Sequence, residues 1–212
     1  VFEPTRLFVL RHGQTAWNAE TRIQGQLDIG LNDTGRWQAA QMAQALAVSL
    51  GEEPLAAIYS SDLLRALHTA QPLAAATGAP LHTSALLRER GFGIFEGHTH
   101  AEVERLWPEQ AARWRRRDVG SGPDGGEALD EFNARCVPAV CALAAAHPGQ
   151  AIAVVAHGGV LDCLYRAAVG VDLAAPRTWV LGNAVINRLL FNGERLSLVG
   201  WGDAAHLDAE PG

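Results

Sequence analysis

Cysteine is scarce in this chain. Three thiols, Cys136, Cys141 and Cys163, are too few and odd in number for a disulfide framework. They read as small core residues of a protein kept reduced in the cytoplasm. No apolar run approaches the ~18–20 residues of a membrane span. The start, Val1-Phe2-Glu3-Pro4, has no charged region followed by an apolar stretch and a cleavage site, so no secretory leader is expected. Excess positive charge is also missing. Lys and Arg total 17 against 23 Asp and Glu, for a net charge of -6. That balance argues against a general nucleic-acid binder but leaves room for a local cationic pocket. No repeat recurs at a fixed period. What is present is ordinary globular composition, 48% hydrophobic and 19% charged. At 212 residues the chain is long enough for a full core. The one extended loop-like segment, Gly120-Ser121-Gly122-Pro123-Asp124-Gly125-Gly126, has helix and strand patterns on both sides. It therefore reads as a surface loop within a single domain spanning residues 1–212.

Leu7-Phe8-Val9-Leu10 is dense enough for a strand buried on both faces, and it runs into Arg11-His12-Gly13. Asn32 or Asp33 can cap a helix with the stripe Ala39, Ala43, Leu46 and Leu50. Ala56-Ala57-Ile58-Tyr59 reads as a second strand ending at Ser60-Ser61. Asp62 is expected to cap the next helix, which carries Leu63, Ala66, Ala70 and Leu73, with Pro72 kinking or ending it. Leu81-His82-Thr83 is a weak strand. Short helices are expected from His100 to Arg117, broken near Pro108, then a longer one from Ala128 to Ala146, interrupted at Pro138. Ala151–Ala156 is the clearest buried strand and ends at His157-Gly158-Gly159, with a helix from about Val160. Asn192-Gly193 signals a closing hairpin between Val185–Phe191 and Leu196–Val199. Strands alternating with helices predict an α/β fold, three-layer α/β/α, with a mostly parallel sheet and an antiparallel edge. Ligands of such sheets bind beyond the carboxyl ends of the strands. Arg11-His12, Ser60-Ser61 and His157-Gly158 all fall there.

The chemistry follows from those placements. Arg11 offers permanently charged planar donors suited to phosphate, and Gly13 allows close backbone approach. His12 alone could merely cap the sheet. His157, at the end of another strand, brings a second imidazole, and Arg65 sits on the same rim. Two arginines and two histidines converging make an anion site, because such a cluster is electrostatically costly without an anion.

The chain resembles the histidine phosphatase superfamily, the phosphoglycerate-mutase-like enzymes. The matching pieces are Leu10 through Asn18, Gln24-Gly25, Leu31 through Gly35 with Gln38-Ala39, Ser60 through Ala66, Leu87-Arg88-Glu89, Phe95-Glu96-Gly97, Gly125-Gly126-Glu127 and Val155 through Gly159. They fall in the family's order over nearly the whole chain. The resemblance implies a phosphoglycerate-mutase-like fold and a covalent mechanism. His12 would become phosphohistidine, Arg11, Arg65 and His157 would hold phosphoryl oxygens, and Glu89 would donate the proton. Asn18, Gln24, Gly25 and the Gly158 backbone would complete the pocket. A neutral imidazole is nucleophilic without a metal, so no metal and no cofactor are expected.

Other motifs carry less. Gly91-Phe92-Gly93 neither follows a strong strand nor opens a clear helix, so it is no dinucleotide fingerprint. Glu96, His98 and His100 lack a second ligand cluster. Arg113 and Arg115-Arg116-Arg117, with Trp107 and Trp114, form either a solvated helix face or a lid at about residues 98–126 that meets the substrate's far end. The lid reading, in which Arg115 and Arg116 touch substrate, is preferred. The short segment between Glu89 and Gly125-Gly126-Glu127, and the short tail after Trp201, resemble the hydrolases more than the mutases. The expectation is a phosphomonoester hydrolase acting on small phosphorylated metabolites. A cofactor-dependent phosphoglycerate mutase is the alternative, and a catalytically idle phosphate-binding protein a more remote one. No membrane or nucleic-acid partner is expected, and a homodimer stays open.

Overall fold

The computed structural model describes residues 2–208. Six strands form one sheet, β1 Thr5–Arg11, β2 Leu55–Ser61, β3 Leu81–Ser84, β4 Ala151–Ala156, β5 Ile186–Phe191 and β6 Leu196–Asp203. Their order is β3-β2-β4-β1-β5-β6. β3, β2, β4 and β1 pair in parallel, while β5 runs antiparallel to β1 and to β6. The expected parallel sheet, antiparallel edge and Asn-Gly hairpin are therefore present.

Alternation along the strands builds the layers. Leu7, Val9, Ile152 and Val154 face one way, against α6 (Leu129–Ala145) and α7 (Gly158–Val169). Phe8, Leu10, Ala153 and Val155 face the other, against α2 (Asp33–Leu50) and α3 (Leu64–Thr77). β4 is buried along its full length, as a central parallel strand covered on both faces must be. Short α1 (Ala16–Ala19) follows β1. Between β3 and α6 lie α4 (His100–Leu106) and α5 (Pro108–Arg115). They share a small core of Ile23, Phe95, Val103 and Ala111, flanked by Trp107 and Trp114. Among the described residues no helix is long and apolar enough to cross a membrane.

Two local expectations are corrected, the Asp62 cap and the interruption at Pro138. Asn32 caps α2 as expected, through Oδ1 accepting from the Gly35 amide at 2.8 Å. Asp62 does not cap α3. Its carboxylate grips Arg88 Nε and Nη2, both at 2.7 Å, and the Leu64 amide instead donates to Asp28 Oδ1 from a distant loop. Neither Pro72 nor Pro138 ends its helix. Each proline removes one backbone bond, but Ala66, Ala70 and Leu73 in α3, and Cys136 and Val140 in α6, keep those helices buried on the sheet.

The topology also decides where a ligand can sit. β1 and β4 are neighbours, yet α2 after β1 and α7 after β4 cover opposite faces. A crevice opens where connections diverge in this way, beyond the carboxyl ends of the strands. His12 and His157 stand at its base.

Candidate active site

The turn carrying His12 is fastened from several sides. The Gly13 amide donates to Thr69 Oγ1 at 2.9 Å, and the Gln14 amide to Gln38 Oε1 at 2.8 Å. The Asn183 side chain donates to the His12 carbonyl at 2.9 Å. Gly13 packs directly on the backbone of Gly35, leaving no space for a side chain at either position. Gly35 and Gln38 therefore serve the site without touching it.

His12 is 2% exposed and His157 is fully buried, and their rings lie 5.3 Å apart. His12 Nδ1 lies 2.7 Å from the Gly13 carbonyl oxygen. A carbonyl only accepts, so Nδ1 carries the hydrogen and Nε2 keeps its lone pair. Burial, then the charges of Arg65 and Arg11, hold His12 protonation well below the ordinary histidine range. Burial and Arg65 do the same to His157, with His12 and Arg11 adding to it. Ser61 Oγ accepts the Leu63 amide and lies 2.8 Å from His157 Nε2. A hydroxyl that donates to Nε2 leaves His157 Nδ1 as an N–H donor.

Arg65 spends its two terminal nitrogens on the Leu27 and Gly25 carbonyls, at 2.8 and 2.6 Å. Burial pushes its pKa down to about 10, opposed by Glu89 and Asp28. It stays cationic at neutral pH. Arg11, lowered by burial against the attraction of Glu89, donates one terminal nitrogen to the Leu181 carbonyl. Among the described residues six buried side-chain nitrogens and oxygens lack any hydrogen-bond partner, and three are Arg11 Nε, Arg65 Nε and His157 Nδ1. Buried polar groups are rarely left unpaired. Three donors left so beside a neutral imidazole are arranged for a multi-oxygen anion.

Glu89 faces the same crevice. Its Oε1 accepts the Arg90 amide at 2.8 Å and its Oε2 the Gly159 amide at 3.0 Å. Arg135 on α6 holds the backbone behind it, donating to the Arg88 and Glu89 carbonyls and forking onto Glu127. Glu127 also accepts the Gly91 amide, which explains the use of Gly125-Gly126-Glu127. Gln24 Oε1 accepts from Thr15 Oγ1 at 2.8 Å, and Asn18 closes the capping box of α1. Gly25, at φ 52°, turns its carbonyl to Arg65.

A cavity of about 700 Å³ reaches this crevice at Arg11, Glu89 and Gly158, and Arg115 also lines it. His12, Arg65 and His157 lie beneath the wall and do not line it, nor do Asn18, Gln24, Gly25 and Arg116. Arg115 pairs with Glu104, also on the lining. Arg116 follows α5 as its C-cap and is exposed, off the cavity wall. Sequence reasoning missed Arg90 and Arg177 on the wall, while Arg117, from the basic patch it singled out, lines it too. Glu96 accepts the Gln26 and Phe92 amides, and His98 pairs with Glu102, so both are engaged in local structure.

A buried imidazole with a free ring nitrogen among unpaired cationic donors at a strand-end crevice fits a phosphoryl group. The chain belongs to the histidine phosphatase superfamily, branch 1, whose family model matches residues 7–204. It is 40% identical over 206 residues to phosphoglycerate mutase-like protein 4 of Arabidopsis thaliana, covering 95% of this chain and 86% of that one. The structure of a mycobacterial glucosyl-3-phosphoglycerate phosphatase with VO3 superposes at a TM-score of 0.82 and 36% identity, covering 94% and 99% of the two chains. Bacillus stearothermophilus YhfR superposes at 0.86 and 30% identity, covering 96% and 100%.

Proposed function

We propose that the protein is a metal-independent phosphomonoester hydrolase that works through a phosphohistidine on His12. The observation that carries this reading is the state of His12. It is buried, neutral, fixed in one tautomer by the Gly13 carbonyl, and set among Arg11, Arg65 and His157. Its Nε2 lone pair attacks phosphorus, and the P–O bond to the leaving alkoxide breaks. Unpaired donors on Arg11, Arg65 and His157 hold the non-bridging oxygens and stabilise the charge spread over them. Glu89 gives its proton to the leaving oxygen, then takes one from the water that attacks the phosphohistidine. That second displacement returns inorganic phosphate and neutral His12.

The reading extends to the whole chain as one catalytic domain. The segment at about residues 98–126 covers substrate, supported by Trp114 and Arg115 on the cavity wall. The cytoplasm suits the cysteines, all three of which are unpaired. Glucosyl-3-phosphoglycerate phosphatase among the structural relatives supports hydrolysis of a small phosphorylated metabolite. The relative named as phosphoglycerate mutase-like supports a second reading, transfer of the phosphoryl group between substrate hydroxyls. One experiment separates them. Release of phosphate from p-nitrophenyl phosphate by the native protein, lost in His12→Ala, supports the hydrolase. Conversion of 3-phosphoglycerate only with a bisphosphoglycerate primer, without phosphate release, supports the mutase.

A further inference from the structure

The cavity wall holds five arginines, Arg11, Arg90, Arg115, Arg117 and Arg177, and four are committed to protein acceptors. Arg11 donates to the Leu181 carbonyl. Arg90 donates to the Glu127 and Ser121 carbonyls, both at 2.9 Å. Arg115 pairs with Glu104, and Arg117 binds Asp162 and the Leu173 carbonyl. Arg177 alone has no carboxylate or carbonyl partner among the described residues, although its charge is felt at Arg11.

Its place on the chain is held firmly. Arg177 lies in the irregular segment after α7, between residues 170 and 185. Arg166, buried in α7, donates to the Asp172 and Ala175 carbonyls at 2.6 and 2.8 Å. Arg117 holds the Leu173 carbonyl at 2.7 Å, Trp201 the Val180 carbonyl at 2.9 Å, and Arg11 the Leu181 carbonyl. Trp179 stacks on Tyr165 at 4.1 Å, with the Arg166 guanidinium 4.7 Å from its ring centre. A loop without regular structure is thus tied on both sides of Arg177. Pre-organisation of this kind removes ordering cost from a binding step.

We propose that Arg177 is a specificity-determining residue that binds a second acidic group, a carboxylate, on the leaving-group portion of the substrate. Three observations direct it there rather than to the phosphoryl group. Phosphoryl oxygens already have the unpaired donors of Arg11, Arg65 and His157. Arg177 is exposed on the cavity wall, unlike those buried groups. The cavity, at about 700 Å³, is the size of sites that enclose a whole small molecule. One unpaired guanidinium matches one negative charge, and its planar fork fits a carboxylate with two parallel bonds.

The inference rests on the hydrolase reading, and its test keeps the two apart. 3-Phosphoglycerate and glycerol 3-phosphate share a phosphorylated carbon and differ at the far end, carboxylate against hydroxymethyl. Each is measured as a competitive inhibitor of p-nitrophenyl phosphate hydrolysis, by the native enzyme and by Arg177→Gln. The expected result is tighter native binding of 3-phosphoglycerate. In Arg177→Gln that binding weakens about tenfold or more, glycerol 3-phosphate stays within about twofold, and turnover of the aryl ester is retained. Arg177→Lys should recover part of the preference. Equal weakening of both ligands, no weakening, or no native preference overturns the role of Arg177. A native protein that releases no phosphate from any ester overturns the hydrolase reading itself.

Discussion

The two buried histidines make folding stability sensitive to mild acid. His12 and His157 are neutral in the folded protein, where burial and the nearby arginine charges hold their protonation well below 6.5. In the unfolded chain each titrates near 6.5. Below that pH the unfolded state binds protons that the folded state does not, so stability is lost as pH falls from 6.5 toward the depressed folded values. Each histidine contributes a limiting slope of about 1.4 kcal/mol per pH unit, and the pair about 2.7 kcal/mol per unit. Integrating from pH 6.5 to 5.5 gives a loss of roughly 2 kcal/mol, a large part of a typical domain's stability. Carboxylates held low by partners, such as Asp62 on Arg88 and Asp203 on Arg188, act in a lower window, below their ordinary 3.8. The two effects therefore separate by pH. The assay is urea unfolding at about pH 7.5, 6.5 and 5.5. His12→Gln and His157→Gln should each remove about half of the slope between 6.5 and 5.5, and the double variant nearly all of it. A double variant with the native slope would refute the assignment of buried, neutral histidines.

Further outcomes follow from individual contacts. Gly159→Ala places a methyl group against Glu89 Oε1 and the Phe132 ring. It should lower hydrolysis of alkyl phosphates about tenfold or more while sparing p-nitrophenyl phosphate, whose leaving group needs little protonation; equal losses would separate Glu89 from proton transfer. Gly13→Ala drives a side chain into the Gly35 backbone and should lower stability by about 2 kcal/mol or more, read from the urea midpoint. Activity should persist through exhaustive chelation, because the His12 lone pair is available without a metal; loss on chelation with recovery on adding a divalent ion would contradict that. Arg115→Ala should change preference among substrates with different leaving groups, and Arg116→Ala should not, since only Arg115 lines the cavity.

Local rules reached part of this structure. β1 and β4 were legible because a strand buried on both faces is dense in apolar residues, and each runs directly into a histidine. Asn32 was legible as a cap because its hydrogen bond spans three residues. Asp62 misled because its partner, Arg88, is 26 positions away, and the helix start it vacates is served by Asp28. Pro138 misled because burial against the sheet outweighs one lost backbone bond. Placing Glu89 in the site depended on the family resemblance, since Arg135 and the Gly159 amide that position it come from other elements. Arg177 gave no signal at all. It lies in an irregular loop whose course is set by Arg166, Arg117, Arg11 and Trp201, contacts that no spacing along the chain encodes.

The covalent intermediate is the most direct test of the catalytic account. Glu89→Gln keeps the side-chain shape and loses the proton donor and base. An activated aryl ester should still phosphorylate His12 in that variant, while attack by water becomes slow. Rapid quenching at alkaline pH, where phosphohistidine persists, followed by intact-mass measurement, should show one added phosphoryl group on Glu89→Gln and none on the His12→Ala/Glu89→Gln double variant. A label that survives the loss of His12, or no label on Glu89→Gln despite release of p-nitrophenol, would contradict the account.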